Sequence, residues 1–335
     1  MGGRRGNMNE QLSRRKFLRV SSAATLAGAG VLPSLAEGRP TVPGPFRGTF
    51  CLFSKSVPHL NWQELATAVG RAGFGGIDLT VRPDGHVMPE RAAKDLPEAV
   101  AAIRAQGLEV PMITTGLARA DDPTARPIMS TAAKLGIPYM KPGYYHYKLR
   151  DDQAVDVRKQ VEAAGNQFRG LARLAEEYQV QLGFHNHAGY IGCQLWDFAP
   201  FIDTLNPKWV GYYYDLENAA SEGGTEGWRI DANLVMPRLK MMAAKDVYWK
   251  KTTEGWRAVT CPLGEGMCNY KLLFRMTARA GFHGPISLHM EYEIPGVSDG
   301  QGIALSREAD DTLMSAAARN LEILKLLVNE AYQLK

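Results

Sequence analysis

"FRGLARLAEEYQVQLGFHNHAG", residues 168–189, joins two patterns end to end. The first half repeats apolar residues at the 3.6-residue spacing of a helix with one buried face. The second half contains "VQLGFHNH" (180–187), a short apolar run that finishes in polar residues. A helix feeding directly into a short buried strand is the repeating unit of folds with a parallel sheet. Side chains at i and i+2 of a strand face the same way, so His185 and His187 are expected to point into one space.

The same alternation runs outward in both directions. Short apolar runs lie at 49–54, 75–81, 109–115, 137–143, 180–187, 210–216, 241–247 and 285–292. Amphipathic segments such as "NWQELATAVGRAG" and "LPEAVAAIRAQG" separate them, and a last helix is expected from about Ser306 to Tyr332. Gly73, Gly107, Gly136 and Gly281 stand where helices should stop, shortly before the next run. Eight such units in about 290 residues predict an α/β fold of the (β/α)8 (TIM) barrel type, a single domain over 48–335. An open doubly wound sheet is the alternative, but no G-x-G-x-x-G follows the first run.

The chain start reads differently. "SRRKFLRV" (13–20) places paired arginines before a mildly apolar stretch, which ends in the small-residue site "PSLA". Residues 1–36 are therefore expected to be a cleaved twin-arginine signal, with 37–47 a Pro/Gly-rich lead-in. The mature protein is then expected outside the cytoplasm, in the periplasm or another extracytoplasmic space, with no membrane-embedded part. Arg4, Arg5, Arg14, Arg15, Lys16 and Arg19 against Glu10 give that segment a net +5. The whole chain carries +4, so the remainder carries one net negative charge. The basic pI thus reports the signal, and a nucleic-acid partner is not expected. Cys51, Cys193, Cys261 and Cys268 have no zinc-ribbon spacing. A Cys261–Cys268 disulfide is conceivable in an oxidising compartment, but buried free thiols are the simpler expectation.

In such a barrel, functional groups collect at the C-terminal strand ends. Those ends carry Asp78, Arg82 and His86; His185, Asn186 and His187; Asp215 and Glu217; Lys245 and Asp246; His289, Glu291 and Glu293. Imidazole plus carboxylate is the ligand set of a divalent transition ion. Each residue alone has a plainer role. A single buried His is more often a hydrogen-bonded core residue, Asp215 suits a helix N-cap, and Lys245–Asp246 suits a surface ion pair. The occurrence of such residues on four successive strands is what argues for a site.

Five segments, "GFHNHAG", "YYYDLENA", "AAKD", "PLGEGMCNY" and "GPISLHMEYE", occur in an order that resembles the xylose isomerase-like barrel superfamily, in its sugar phosphate isomerase/epimerase group. The resemblance spans roughly residues 48–330. It implies one divalent ion (Mn, Zn or Co) near the barrel axis, ligated by Glu, Asp, His and Glu from strands five to eight. Here the matching positions hold His185, Asp215, Ala243 and His289, with Glu291 two places on. The expected metal ligands are therefore His185, Asp215, His289 and Glu291, with His187 an alternative ligand. The expected catalytic groups are Glu291 or His187 as base and Lys245 as base or enolate stabiliser. Arg82, His86, Glu217, Tyr145 and Trp249 are expected around the substrate, with Tyr144 and Trp196 also near the loops.

The chemistry expected of such a site is a metal-dependent sugar isomerase or epimerase working through an enediolate. Export and the lack of a phosphate-cradling loop favour a non-phosphorylated sugar, keto-sugar or glycoside. Some exported members of the resembled group are 3-keto-glycoside lyases, which makes β-elimination an alternative. A non-catalytic sugar-binding barrel is another, and a three-zinc endonuclease is opposed by the charge. An oligomer is compatible with the sequence.

Overall fold

The computed structural model describes residues 44–333. The expected signal at 1–36 and part of the lead-in, 37–43, lie outside the described residues.

Eight parallel strands close into a barrel. They are β1 (Phe50–Phe53), β2 (Gly76–Val81), β3 (Glu109–Thr115), β4 (Tyr139–Lys141), β5 (Gln181–His185), β6 (Val210–Asp215), β7 (Leu239–Ala244) and β10 (Ile286–Leu288). Pairing of Phe50 with Ile286 and of Cys51 with Ser287 closes the ring. Most barrel-strand residues are buried, as strands sandwiched between an inner core and an outer helix layer must be. The outer layer is α1 (Trp62–Arg71), α2 (Ala92–Ala105), α3 (Ala125–Lys134), α4 (Val157–Tyr178), the short α5 (Ala199–Ile202), α6 (Leu216–Val235), α7 (Tyr270–Arg279) and α8 (Arg307–Gln333).

Local signals set the helix ends. Asn61 and Glu64 form a reciprocal capping box at α1, and Asp156, Asp215 and Asn269 cap α4, α6 and α7. Gly73, Gly107, Gly136 and Gly281 all have φ between 68° and 87°, the left-handed turn that ends a helix and that a side chain resists. The barrel is filled by Met112, Tyr213 and Met241 around Ala243. Gly183 makes room for this filling, because a Cβ there would collide with Met241 Cε.

One element departs from the sequence reading. Beyond β7 the chain forms an antiparallel hairpin, β8 (Asp246–Thr252) and β9 (Gly255–Cys261), outside the barrel. Tyr248, Trp249, Trp256 and several charged residues on it are exposed, so it carries no buried alternation to betray it. The strand expected at 241–247 ends at Ala244, and the one expected at 285–292 ends at Leu288. His187, His289 and Glu291 therefore sit just past their strands, on loops. All four cysteines are free, and none of the described helices is long and apolar enough to cross a bilayer.

Candidate active site

The C-terminal mouth of the barrel is organised around the Lys245 ammonium. Lys245 follows β7, and its Nζ lies 3.3 Å from Asp215 Oδ2, 3.1 Å from Glu217 Oε2 and 2.8 Å from Glu291 Oε2. Burial alone would favour the neutral amine, but these three carboxylates hold its pKa well above the ordinary lysine value. The three carboxylates thus favour the ammonium form of Lys245 over the free amine a base would need. Tyr270, at the start of α7, grips its backbone: the Lys245 N–H donates to the Tyr270 hydroxyl at 3.0 Å, and that hydroxyl donates to the Lys245 carbonyl at 2.6 Å.

The carboxylates are held separately. Asp215 accepts the Asn218 backbone N–H at 3.2 Å as the α6 cap, and the Asn218 side chain donates to its other oxygen at 2.7 Å. It thus serves as cap and as site residue together. Burial would raise its pKa, but Lys245 and His185 hold it below the usual carboxylate range. Asn186 stitches β5 to β6 by exchanging two 2.8 Å hydrogen bonds with the Asp215 backbone. Glu291 is also gripped by Lys55 at 3.0 Å; despite burial, Lys245 and Lys55 depress its pKa strongly. Glu217 differs, since burial leaves its pKa raised even against Lys245.

The imidazoles are neutral. Burial pushes His185 down to about 4 and His289 down to about 3. His185 stacks on Tyr213 at 4.4 Å and pairs through Nδ1 with the Tyr144 hydroxyl at 3.0 Å. His289 stacks on Phe53 at 4.4 Å and pairs through Nε2 with the Tyr213 hydroxyl at 2.9 Å. Beneath lies Asp78, bonded by Thr114 at 2.8 Å and Ser287 at 2.9 Å and raised by burial to about 6. His187 is half-buried, with its ring centroid 6.0 Å from that of His185. Its Nδ1–H donates to the Ala188 carbonyl at 3.0 Å, which leaves Nε2 as a free acceptor. Burial, then Lys245, lowers its pKa.

The expected residues divide cleanly. His185, His187, Asp215, Glu217, Lys245, His289 and Glu291 come together. Arg82 is half-buried, with its guanidinium 5.6 Å from the centre of the Phe53 ring. His86 turns away: its Nδ1 lies 3.3 Å from Thr80 Oγ1, and burial lowers it to about 4. Tyr145 is a wall residue, donating to the Ala118 carbonyl at 2.8 Å and stacking on Phe198. Trp249 is exposed on the hairpin, opposite Ala258. Asp246 is no surface partner of Lys245. It is buried and accepts the backbone N–H groups of Val247, Gly264, Gly266 and Cys268 at 2.9–3.1 Å. Lys55 and Lys141 were missed, although each stands at or just beyond a strand end. Lys141, 3.3 Å over the Tyr144 ring, is pushed well below the ordinary lysine pKa by burial and by Arg82.

The residues present do not fit a resident divalent ion. Asp215 and Glu291 already face an ammonium, and Ala243, at the expected strand-seven ligand position, is buried in the barrel filling. Among the described residues, no three His, Cys, Asp or Glu side chains are placed to hold one ion. The donors of suitable chemistry are His185 Nε2 and His289 Nδ1, both buried and unpartnered.

A closed parallel barrel with a polar cluster at its C-terminal mouth defines a (β/α)8 protein whose polar groups stand where sites of this fold collect. The chain belongs to the xylose isomerase-like TIM barrel family, whose sequence profile matches residues 66–313. No protein of curated function matches the sequence. Solved structures with a similar fold include a xylose isomerase-like TIM barrel protein from Mycobacterium smegmatis in complex with magnesium. It is 18% identical, with TM-score 0.62 over 85% of this chain and 98% of that one. D-psicose 3-epimerase from Clostridium cellulolyticum H10, with D-tagatose, is 11% identical, with TM-score 0.60 over 84% and 99%. The 3-keto-D-glucoside 4-epimerase of E. coli is 14% identical, with TM-score 0.58 over 82% and 99%. At these identities the likeness is one of fold.

Proposed function

We propose that this chain moves a proton at the carbon beside a carbonyl of a non-phosphorylated sugar or keto-sugar, as an isomerase or epimerase acting through an enediolate. The observation that carries the reading is one free neutral base, His187, set beside the ion-pair cluster of Lys245 and Lys55 at the barrel mouth. His187 Nε2 takes the α-proton, and the C–H electron pair moves onto the carbonyl oxygen. Lys245 supplies the positive field, but its near neighbours are three carboxylates. Lys55 makes one ion pair, to Glu291, and is the better direct donor to the oxyanion. Reprotonation at the same carbon gives the epimer, and at the former carbonyl carbon the isomer. The fold shared with the psicose and 3-keto-glucoside epimerases supports this substrate class. The twin-arginine pattern of residues 1–36 supports an extracytoplasmic location, where free sugars and glycosides are the available substrates.

One observation favours β-elimination as a second reading. Glu291 is held between two lysines, so a second free base facing His187 is missing from the cluster. Elimination needs one base, plus an acid for the departing alkoxide. Glu217, the one carboxylate of the three whose pKa burial leaves raised, would fill that role on taking up a proton.

The test is incubation of the protein in D2O with a panel of ketoses and 3-keto-glycosides, followed by NMR. Deuterium entering the α-position, with a new epimer or isomer, supports the first reading. An unsaturated product supports the second. No exchange into any sugar, with sugar binding retained, overturns both and leaves a binding barrel.

A further inference from the structure

We infer that the Lys245 ammonium is a built-in cation, fixed covalently where the surrounding donors would otherwise draw a divalent metal ion. What that cation does rests on the proton-transfer reading above; where it stands does not.

Three buried or largely buried carboxylates within 3.3 Å of one point need positive charge to remain ionised. The ammonium meets that need, donating to Glu291 at 2.8 Å and ion-pairing with Asp215 and Glu217. Around it stand the two imidazole nitrogens that have no partner. His185 Nε2 lies 3.4 Å from Asp215 Oδ2, and His289 Nδ1 lies 4.0 Å from Glu291 Oε2. Ligands sharing one ion at about 2.0–2.2 Å have separations of that order. The donors thus form two imidazole–carboxylate pairs of metal-site chemistry; among the described residues no three of them converge on one point, and the lysine stands among the carboxylates instead. The Tyr270 hydroxyl, bonded to both the N–H and the carbonyl of Lys245, fixes the stem from which the ammonium reaches in.

The exchange narrows the substrate. An ammonium carries one charge and has no open coordination positions, so it cannot chelate two substrate oxygens. It stabilises developing negative charge only by its field and through hydrogen bonds. A sugar whose hydroxyls must be made acidic by a Lewis acid is a poor match. A keto-sugar, whose carbonyl already activates the neighbouring C–H, is the matching class.

CoCl2 alone is the probe, titrated into the chelator-treated wild-type chain, Lys245→Ala, and Lys245→Ala combined with His289→Gln. Visible absorption and bound-metal stoichiometry are the readouts. The expected result is no stoichiometric cobalt in the wild type, about one equivalent in Lys245→Ala, and loss of that cobalt in the double variant. One equivalent in the wild type, abolished by Asp215→Asn, overturns the inference. A folded Lys245→Ala that takes no cobalt overturns it as well. If Lys245→Ala does not fold by itself, refolding with CoCl2 decides: recovery of cooperative unfolding supports the inference, and no recovery overturns it. No sugar enters these measurements. An inactive protein with the expected cobalt pattern sinks only the proton-transfer reading, and cobalt in the wild type sinks only this inference.

Discussion

Replacing Lys245 with methionine keeps most of the side chain's apolar stem and removes its charge. Three carboxylates, Asp215, Glu217 and Glu291, then lose their nearest cation, and only Glu291 keeps another in Lys55. Breaking a buried ion pair from one side costs about 3–5 kcal/mol. At roughly 2–3 °C per kcal/mol for a domain of this size, Tm at pH 7 is expected to fall by about 6–15 °C. The pH dependence gives a second handle. In the wild type, Asp215 and Glu291 have folded pKa values below their unfolded ones, so their contribution is present above the unfolded pKa and lost as pH falls. In the variant, the same buried groups lose the charge that depressed them, so their penalty grows as pH rises through the raised folded values. Both effects make the gap between the two proteins close toward acid. The assay is thermal unfolding by circular dichroism from pH 7 down to about 4.5, where unfolded carboxylates begin to protonate. A Tm at pH 7 equal to wild type, or a gap that stays constant toward acid, would refute the claim that this ammonium is what keeps the carboxylates charged.

Other outcomes follow from the same geometry. His187→Gln should lower kcat for α-proton exchange by about 10²–10⁴-fold with little change in Tm, checked by exchange rates and a melt. Because the His187 pKa is lowered, the acid limb of the wild-type rate profile should lie below the ordinary imidazole value of about 6.5, measured as kcat/KM against pH. Extended chelator treatment should leave both activity and Tm unchanged; a loss restored by Mn2+ would contradict the site as described. Asp246→Ala removes the acceptor for four backbone N–H groups and should speed amide exchange at Gly264, Gly266 and Cys268, read by hydrogen–deuterium exchange.

The barrel was legible in the sequence because its strands are buried on both faces and its helices on one. Continuous apolar runs therefore alternate with 3.6-residue stripes, and four glycines mark the joins. The β8–β9 hairpin was not, because exposed residues carry no periodic burial. The polar cluster was legible as a set, since His185, Asp215, Lys245 and Glu291 all lie at or just past strand ends. The role of Lys245 was not, because its partners lie 30, 28 and 46 residues away in sequence and only barrel closure brings them together. His86 and Tyr145 show the opposite failure. Sequence position put them at the mouth, but each found a nearby oxygen instead, His86 on Thr80 and Tyr145 on Ala118. Lys55 went unread because no acidic neighbour in sequence announces its partner, Glu291.

Lys245 and Asp246 are consecutive, yet one serves the barrel mouth and the other clasps the loop behind the hairpin. A single peptide unit therefore couples an interior charge to an outlying flap. Lengthening or re-anchoring that flap would tug on the cation at its centre, so natural variants that remodel the loop should be constrained to keep this dipeptide in register.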